Sequence, residues 1–127
     1  NPPYNSAALQ ASRDAAKAAA HMGNVFGPWA RAAARVLRTG GTATFIFRPR
    51  DVAAALGAFE GRFGGVTLRP VHPRVGEPAS RLLMRGVRGS KAPLAMLPPL
   101  VLHEADGAFT PASDAILRGK TGIVMHL

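Results

Sequence analysis

Apolar positions recur at two periods along this chain, and the switches between them mark out its elements. Ser12 precedes an Ala-rich stretch, which predicts a helix over roughly 13–22 that Gly23 stops. Pro28 suits the first turn of a second helix. In it Trp29, Ala33, Val36 and Leu37 share one face, and Arg31, Arg35 and Arg38 share another. Gly40-Gly41 ends that helix. Thr42 to Phe47 then reads as a buried strand, β-branched, aromatic and uncharged. Arg48-Pro49-Arg50 closes it. Asp51 is placed to cap a third helix that carries Val52, Ala55, Leu56, Phe59 and Phe63 on one side, with Gly64-Gly65 as its stop. Val66 to Val71 predicts a second strand, and Pro70 puts it at a sheet edge or a strand end. A turn-rich stretch from Pro73 to Pro78 leads to a third strand, Arg81 to Val87. Leu97 to Leu102 is extended, and its prolines keep it from a central position. Asp106-Gly107 is a turn, and Thr110-Pro111 opens a short helix that runs to about Leu117.

Strands alternating with helices imply an α/β sheet with helices on both faces. Three strands make a poor sheet, and the first is apolar enough to want neighbours on both sides. One neighbour would be a strand ending at Asn1, which this chain does not include. Residues 1–127 therefore read as the second half of one domain.

Composition narrows the class. Hydrophobic residues make up 47% and charged residues 18%, as in a globular protein, and the 14 Gly and 11 Pro favour short elements joined by many turns. No apolar run approaches the roughly 20 residues that span a bilayer, so no membrane association is expected. Cysteine is absent, which rules out disulfides and thiolate metal sites and fits a cytoplasmic protein. Sixteen Lys and Arg against seven Asp and Glu leave a net charge of +9. Most of the cations are Arg, which forks onto phosphate and stacks on bases, so a polyanion such as nucleic acid is the natural partner. The bland alternative is the coding bias of a GC-rich genome. Two apparent motifs fail on spacing. Gly119-Lys120-Thr121 lacks the glycine of a phosphate loop, since position 114 is Asp. His103-Glu104 lacks the second histidine of a zinc helix, since position 107 is Gly, and no metal is expected.

The opening tetrapeptide, Asn1-Pro2-Pro3-Tyr4, carries the chemistry. Consecutive prolines fix φ and remove two N–H donors, so Pro2 and Pro3 form a rigid turn. At the carboxyl end of a strand, where open α/β sheets place ligands, that turn holds the Asn1 side-chain amide and the neighbouring carbonyls toward one point. Both accept hydrogen bonds from an –NH₂ group, which drives the nitrogen lone pair out of conjugation and toward an electrophile. Tyr4 offers a flat face for a planar ring. His72 and Arg74, just past a predicted strand end, join Arg48, Arg50 and Lys91 as candidates for RNA phosphate, against the plainer reading of surface charge.

These residues resemble the (Asn/Asp/Ser)-Pro-Pro-(Tyr/Phe) motif of class I S-adenosyl-L-methionine-dependent methyltransferases that act on amino groups. Leu37-Arg38-Thr39-Gly40-Gly41 resembles the helix end before that family's fifth strand. The segments Ser90 to Leu94 and Leu100 to Thr110 resemble the ending of its small-domain members, among them tRNA (adenine-N6)-methyltransferases. The resemblance implies the C-terminal half of a Rossmann-like seven-stranded sheet whose last strand is antiparallel. It implies N-methylation of a base amine, with adenine N6 in tRNA placed first. Catalysis would fall to Asn1, Pro2, Pro3 and Tyr4. Protein-glutamine and rRNA-guanine methyltransferases carry similar tetrapeptides and stay as alternatives, as does a basic RNA-binding fragment without catalysis. The family's cofactor motifs lie in the half that precedes this chain, and no G-x-G-x-x-G occurs here.

Overall fold

The computed structural model describes residues 15–127, with side chains from residue 25 onward. Its first element, α1 (Ala15–Val36), runs unbroken through Gly23 and Pro28, where the sequence predicts two helices. A proline inside a helix removes a hydrogen bond and costs about 3 kcal/mol. Pro28 itself is exposed, while Phe26 and Ala30 on either side are buried and hold the helix to the sheet. Burial also shifts the predicted face. Phe26, Ala30 and Ala34 form the packed stripe with Ala33 and Leu37 beside them, whereas Trp29 is 44% and Val36 83% exposed.

The next strand, β1 (Thr42–Phe47), sends Ala43, Phe45 and Phe47 toward α1. A 3-10 turn, Pro49–Asp51, leads into α2 (Val52–Phe59). Asp51 stands at the cap position, yet its side chain makes no capping hydrogen bond. The helix ends earlier than its apolar spacing predicts, and Phe63 begins β2 (Phe63–His72) instead. Gly64 and Gly65 are not a helix stop. They form a bulge in β2, where one extra residue separates the Gly64–Val87 pair from the Thr67–Arg85 pair. The backbone carbonyl of Ser90 lies against Gly64 where a Cβ would be, so the loop passing over the strand requires glycine there.

The third long strand, β3 (Arg81–Arg88), lies between β1 and β2 and runs antiparallel to both. Two short strands, β4 (Ala95–Met96) and β5 (Leu100–Val101), then pair parallel to the other side of β2. The antiparallel strand is thus followed in the chain by parallel ones. The sheet has five strands among the described residues. Pro70 is not at an edge. The carbonyls of Leu68 and His72 accept from Leu97 and Leu102 on the β4/β5 side, so by alternation Pro70 also turns its missing donor that way, into the gap between the two short strands.

Two cores cover the two faces. The larger joins α1 and α2 to the sheet through Phe26, Phe45, Phe47, Phe59 and Phe63, with Phe26 edge-on to Phe47 at 5.3 Å and Phe59 tilted against Phe63 at 4.6 Å. The smaller gathers Val71, Leu83, Leu97, Leu100 and Met125. It is covered by α3 (Pro111–Leu117), which Thr110 caps as the sequence predicts, and by the segment after it. That segment is tied down where Thr67 Oγ1 donates to the Met125 carbonyl and Arg69 Nη1 to that of Val124, both at 2.6 Å. Nothing in the sequence pattern past Leu117 predicts this strap.

A Cβ built on Gly86 would lie 2.6 Å from the Phe59 ring and 2.8 Å from Phe63 Cβ. Gly86→Ala is expected to lower stability in urea unfolding by about 1–3 kcal/mol through overpacking. Gly57, inside α2 with nothing within 4 Å, is the contrast: Gly57→Ala should raise stability by about 0.5–1 kcal/mol.

Candidate functional site

Because β3 is antiparallel to both neighbours, β1 and β2 run the same way and end at one edge of the sheet. Open α/β sheets place ligands outside this carboxyl edge. α1 runs against β1, with Phe26 against Phe47 near the end of the strand, so its amino end at Ala15 projects past the same edge.

Three turns build the edge. After β1 come Arg48, Pro49, Arg50 and Asp51. Arg50 is exposed, its Nε 4.0 Å from Asp51 Oδ1, and Asp51 Oδ2 is buried with no hydrogen-bond partner. After β2 come His72, Pro73 and Arg74. His72 Nδ1 donates to the Glu77 carbonyl at 2.6 Å, which fixes the ring and leaves Nε2 outward from that contact. Arg74 is held loosely, 3.5 Å from Glu77 Oε1 with both side chains about half exposed. Arg81, at the start of β3, lies across from Val71. After β5, residues 103–109 form a small hairpin. The Glu104 N–H donates to Ala108 O at 2.7 Å, and Gly107 takes a φ of 92°. His103 Nδ1 donates to Gly107 O, and its ring stacks on Phe109 at 4.7 Å.

The hairpin is fastened to β2 by the His103 N–H, which donates to Pro73 O. Phe109 is half exposed, an aromatic face set beside Arg74, which lies 3.9 Å from where a Gly107 Cβ would be. In the sequence His103 stands out as a rejected zinc ligand, and both it and Phe109 fall in the Leu100–Thr110 segment of the family resemblance, with no contact between them expected. The signal that finds the pair is the isolated bridge His103–Phe109, which cannot be read from periodicity.

Of the five residues predicted to contact RNA, Arg48, Arg50, His72 and Arg74 come together here. Lys91 does not. It follows β3, beside the Gly64–Gly65 bulge, at the amino end of β2. The eight residue-to-residue steps from Gly64 to His72 separate it from them by roughly 26 Å. Asn1, Pro2, Pro3 and Tyr4 lie outside the described residues. A shallow apolar depression of about 350 Å³, lined by Phe59, Phe63, Gly65, Ala92 and Leu94 among others, also sits at that far end and adjoins none of the edge residues. Among the described residues, no group of three or more His, Asp or Glu side chains could hold a metal ion, and no helix is long and apolar enough to cross a membrane. Nor do they fit S-adenosyl-L-methionine: the edge offers arginines and half-exposed histidines, with no glycine-rich turn from strand to helix to receive the cofactor.

Neither a protein-family model nor a curated protein sequence matches the chain. Among solved structures it is similar to the crystal structure of a predicted O-methyltransferase from Agrobacterium tumefaciens. The TM-score is 0.75 at 38% identity, over 77% of this chain and 48% of that one. The chain therefore carries part of a methyltransferase-like fold and spans about half the length of that relative.

The hairpin rests on the cap of α3. Thr110 Oγ1 donates to Val101 O at 2.7 Å and accepts from the Ser113 N–H, and Ser113 Oγ donates to Leu102 O at 2.6 Å. Thr110→Ala should cost about 1–2 kcal/mol in urea unfolding, and Thr110→Ser should recover most of it.

Proposed function

We propose that this chain is the substrate-facing half of an S-adenosyl-L-methionine-dependent methyltransferase that transfers a methyl group to an exocyclic amine of an RNA base, with adenine N6 in tRNA as the first candidate. The observation that carries the reading is the likeness to a methyltransferase structure together with the direction of α1, whose amino end projects past the carboxyl edge; the Asn1-Pro2-Pro3-Tyr4 motif lies upstream of that helix, with residues 5–14 between them. The methyl donor is held by parts of the protein other than the described residues.

In this reading the Asn1 side-chain carbonyl and the Pro2 carbonyl accept the two amine hydrogens. Pro3 keeps the turn rigid, and Tyr4 stacks on the base. The target base is everted from its stack, as base-modifying enzymes require. His72 and Arg74 flank it with the exposed ring of Phe109, and Arg48 and Arg50 stand on the other side of the edge, all suited to phosphate or ribose. An O-methyl product is the second reading, favoured by the description of the Agrobacterium relative. The two readings differ in the acceptor atom and share the fold.

The test is transfer of labelled methyl groups to unmodified tRNA by the full-length protein, followed by digestion to nucleosides and mass spectrometry. N6-methyladenosine is the expected product. A 2′-O-methylated nucleoside would replace the amine reading with the second, an N-methylated guanosine would move the target base, and methyl groups found on protein glutamine would remove RNA as the substrate. Asn1→Ala should lower transfer by on the order of 100-fold or more while RNA affinity stays unchanged, since the lost interaction is made to the reacting amine. An unaffected rate would sink the mechanism.

A further inference from the structure

The positive charge of this chain does not sit where the proposed chemistry does. At the carboxyl edge Arg48, Arg50, Arg74 and Arg81 are matched by four acids, Asp51, Glu77, Glu104 and Asp106. From residue 25 onward, the rest of the chain holds ten Lys and Arg against two acids, Glu60 and Asp114. The edge is therefore close to neutral, and the surplus lies elsewhere.

Two of these cations, Arg31 and Arg35, lie on α1. The helix contains no Asp or Glu along its 22 residues. A solvated helix face ordinarily mixes signs and pairs them at i, i+4. Here Arg31 and Arg35, with Arg38 just past the helix end, follow at i, i+4 and i+7, and all three are exposed. The described ion pairs join Arg50 to Asp51, Arg74 to Glu77 and Arg118 to Asp114, so none involves this stripe. The arginines stand beside the packed stripe of Phe26, Ala30 and Ala34, and they span roughly 10 Å along the helix. The stripe leads toward the amino edge. There the Arg88 carbonyl accepts from the Gly40 N–H, and Thr39 Cγ2 lies 3.2 Å from where a Gly89 Cβ would be. Lys91, exposed and distant from the carboxyl edge, belongs to this end. Three like charges held in line with no carboxylate among them repel one another, and a polyanion relieves that repulsion.

We infer that the outer face of α1, through Arg31, Arg35 and Arg38 and on to Lys91, is a second RNA surface that holds the phosphate backbone away from the modified base. It sets affinity and orientation and does not read sequence. The inference shares with the proposed function only the class of partner. It requires neither methyl transfer nor a particular base.

The experiment compares the full-length protein with the triple variant Arg31→Gln/Arg35→Gln/Arg38→Gln and its Arg→Lys counterpart. Both replacements suit helices, and equal melting temperatures check the fold. Binding of an unmodified tRNA transcript is measured by fluorescence anisotropy over a salt series. The Gln variant should bind on the order of tenfold more weakly at low salt, and its log–log salt slope should be shallower by about 2, while the Lys variant keeps the slope. An unchanged slope in the Gln variant overturns the inference. So does charge-dependent binding of phosphatidylglycerol vesicles by a protein whose RNA binding ignores the substitutions. Methyl transfer in the same samples separates the two claims. A lost slope with no methyl product on any RNA removes the proposed function and leaves this surface standing. Normal methylation with an unchanged slope removes the surface alone.

Discussion

The insertion of β3 between β1 and β2 is the constraint on which the rest of this structure depends. An antiparallel strand placed between two others makes those two parallel, so β1 and β2 deliver Arg48 and His72 to the same edge. The same pairing carries the end of β3 to the amino end of β2, where the Ser90 carbonyl crosses Gly64 beside the bulge and leaves no room for a side chain. It also places Gly86 under the Phe59 ring and against the Phe63 Cβ, so Phe59 of the helical layer sits close to the sheet only because position 86 has no side chain. One pairing choice thus sets the site, the crossing at Gly64 and the main packing contact.

Division of the sheet into two unequal cores follows from the alternation of each strand. Phe45 and Phe47 face the helices while Ile46 faces the other way, and Leu82 and Met84 oppose Leu83 in the same manner. Only near the carboxyl edge is the second face apolar. Lower down it carries Thr42, Thr44 and Arg85, and the strap over Thr67 and Arg69 covers a half-polar surface through hydrogen bonds as well as through Met125. The carboxyl edge is therefore backed by apolar packing on both faces, which holds the Arg48 and His72 turns on rigid supports.

Local signals were legible where local physics decided the outcome. The strand from Thr42 to Phe47, the Thr110-Pro111 cap, the end of α3 at Leu117 and the Asp106-Gly107 turn all stand where composition and turn chemistry put them. The misreadings share a cause, which is tertiary contact overriding a local preference. Gly23 and Pro28 look like breaks until Phe26 and Ala30 are seen to bury on either side. Gly64-Gly65 looks like a helix stop until Ser90 crosses it, and Phe63 keeps helical spacing with Phe59 although it opens a strand. At the site, His72 and Arg74 were legible as residues past a strand end, and the structure sets Arg48 and Arg50 at the same edge, but Lys91, grouped with them on charge, stands at the opposite end of β2. No periodicity reveals which end of a strand a loop residue will occupy. The stacking of His103 on Phe109 was out of reach for the same reason, since it depends on a hairpin closed by backbone hydrogen bonds.

The strap has a consequence for the order in which this chain folds. The larger core is assembled from residues between Phe26 and Met84, a contiguous stretch that leaves the ribosome early. The smaller core needs Met125, and Thr67 waits 58 residues for the carbonyl that its hydroxyl meets. During synthesis the first face can close while the second stays wet, with Val71, Leu83 and Leu100 exposed until the strap arrives. Long-range closure of this kind is slow and leaves apolar surface open to wrong partners. A nascent chain halted before Met125 would carry a finished helical face and an adhesive reverse.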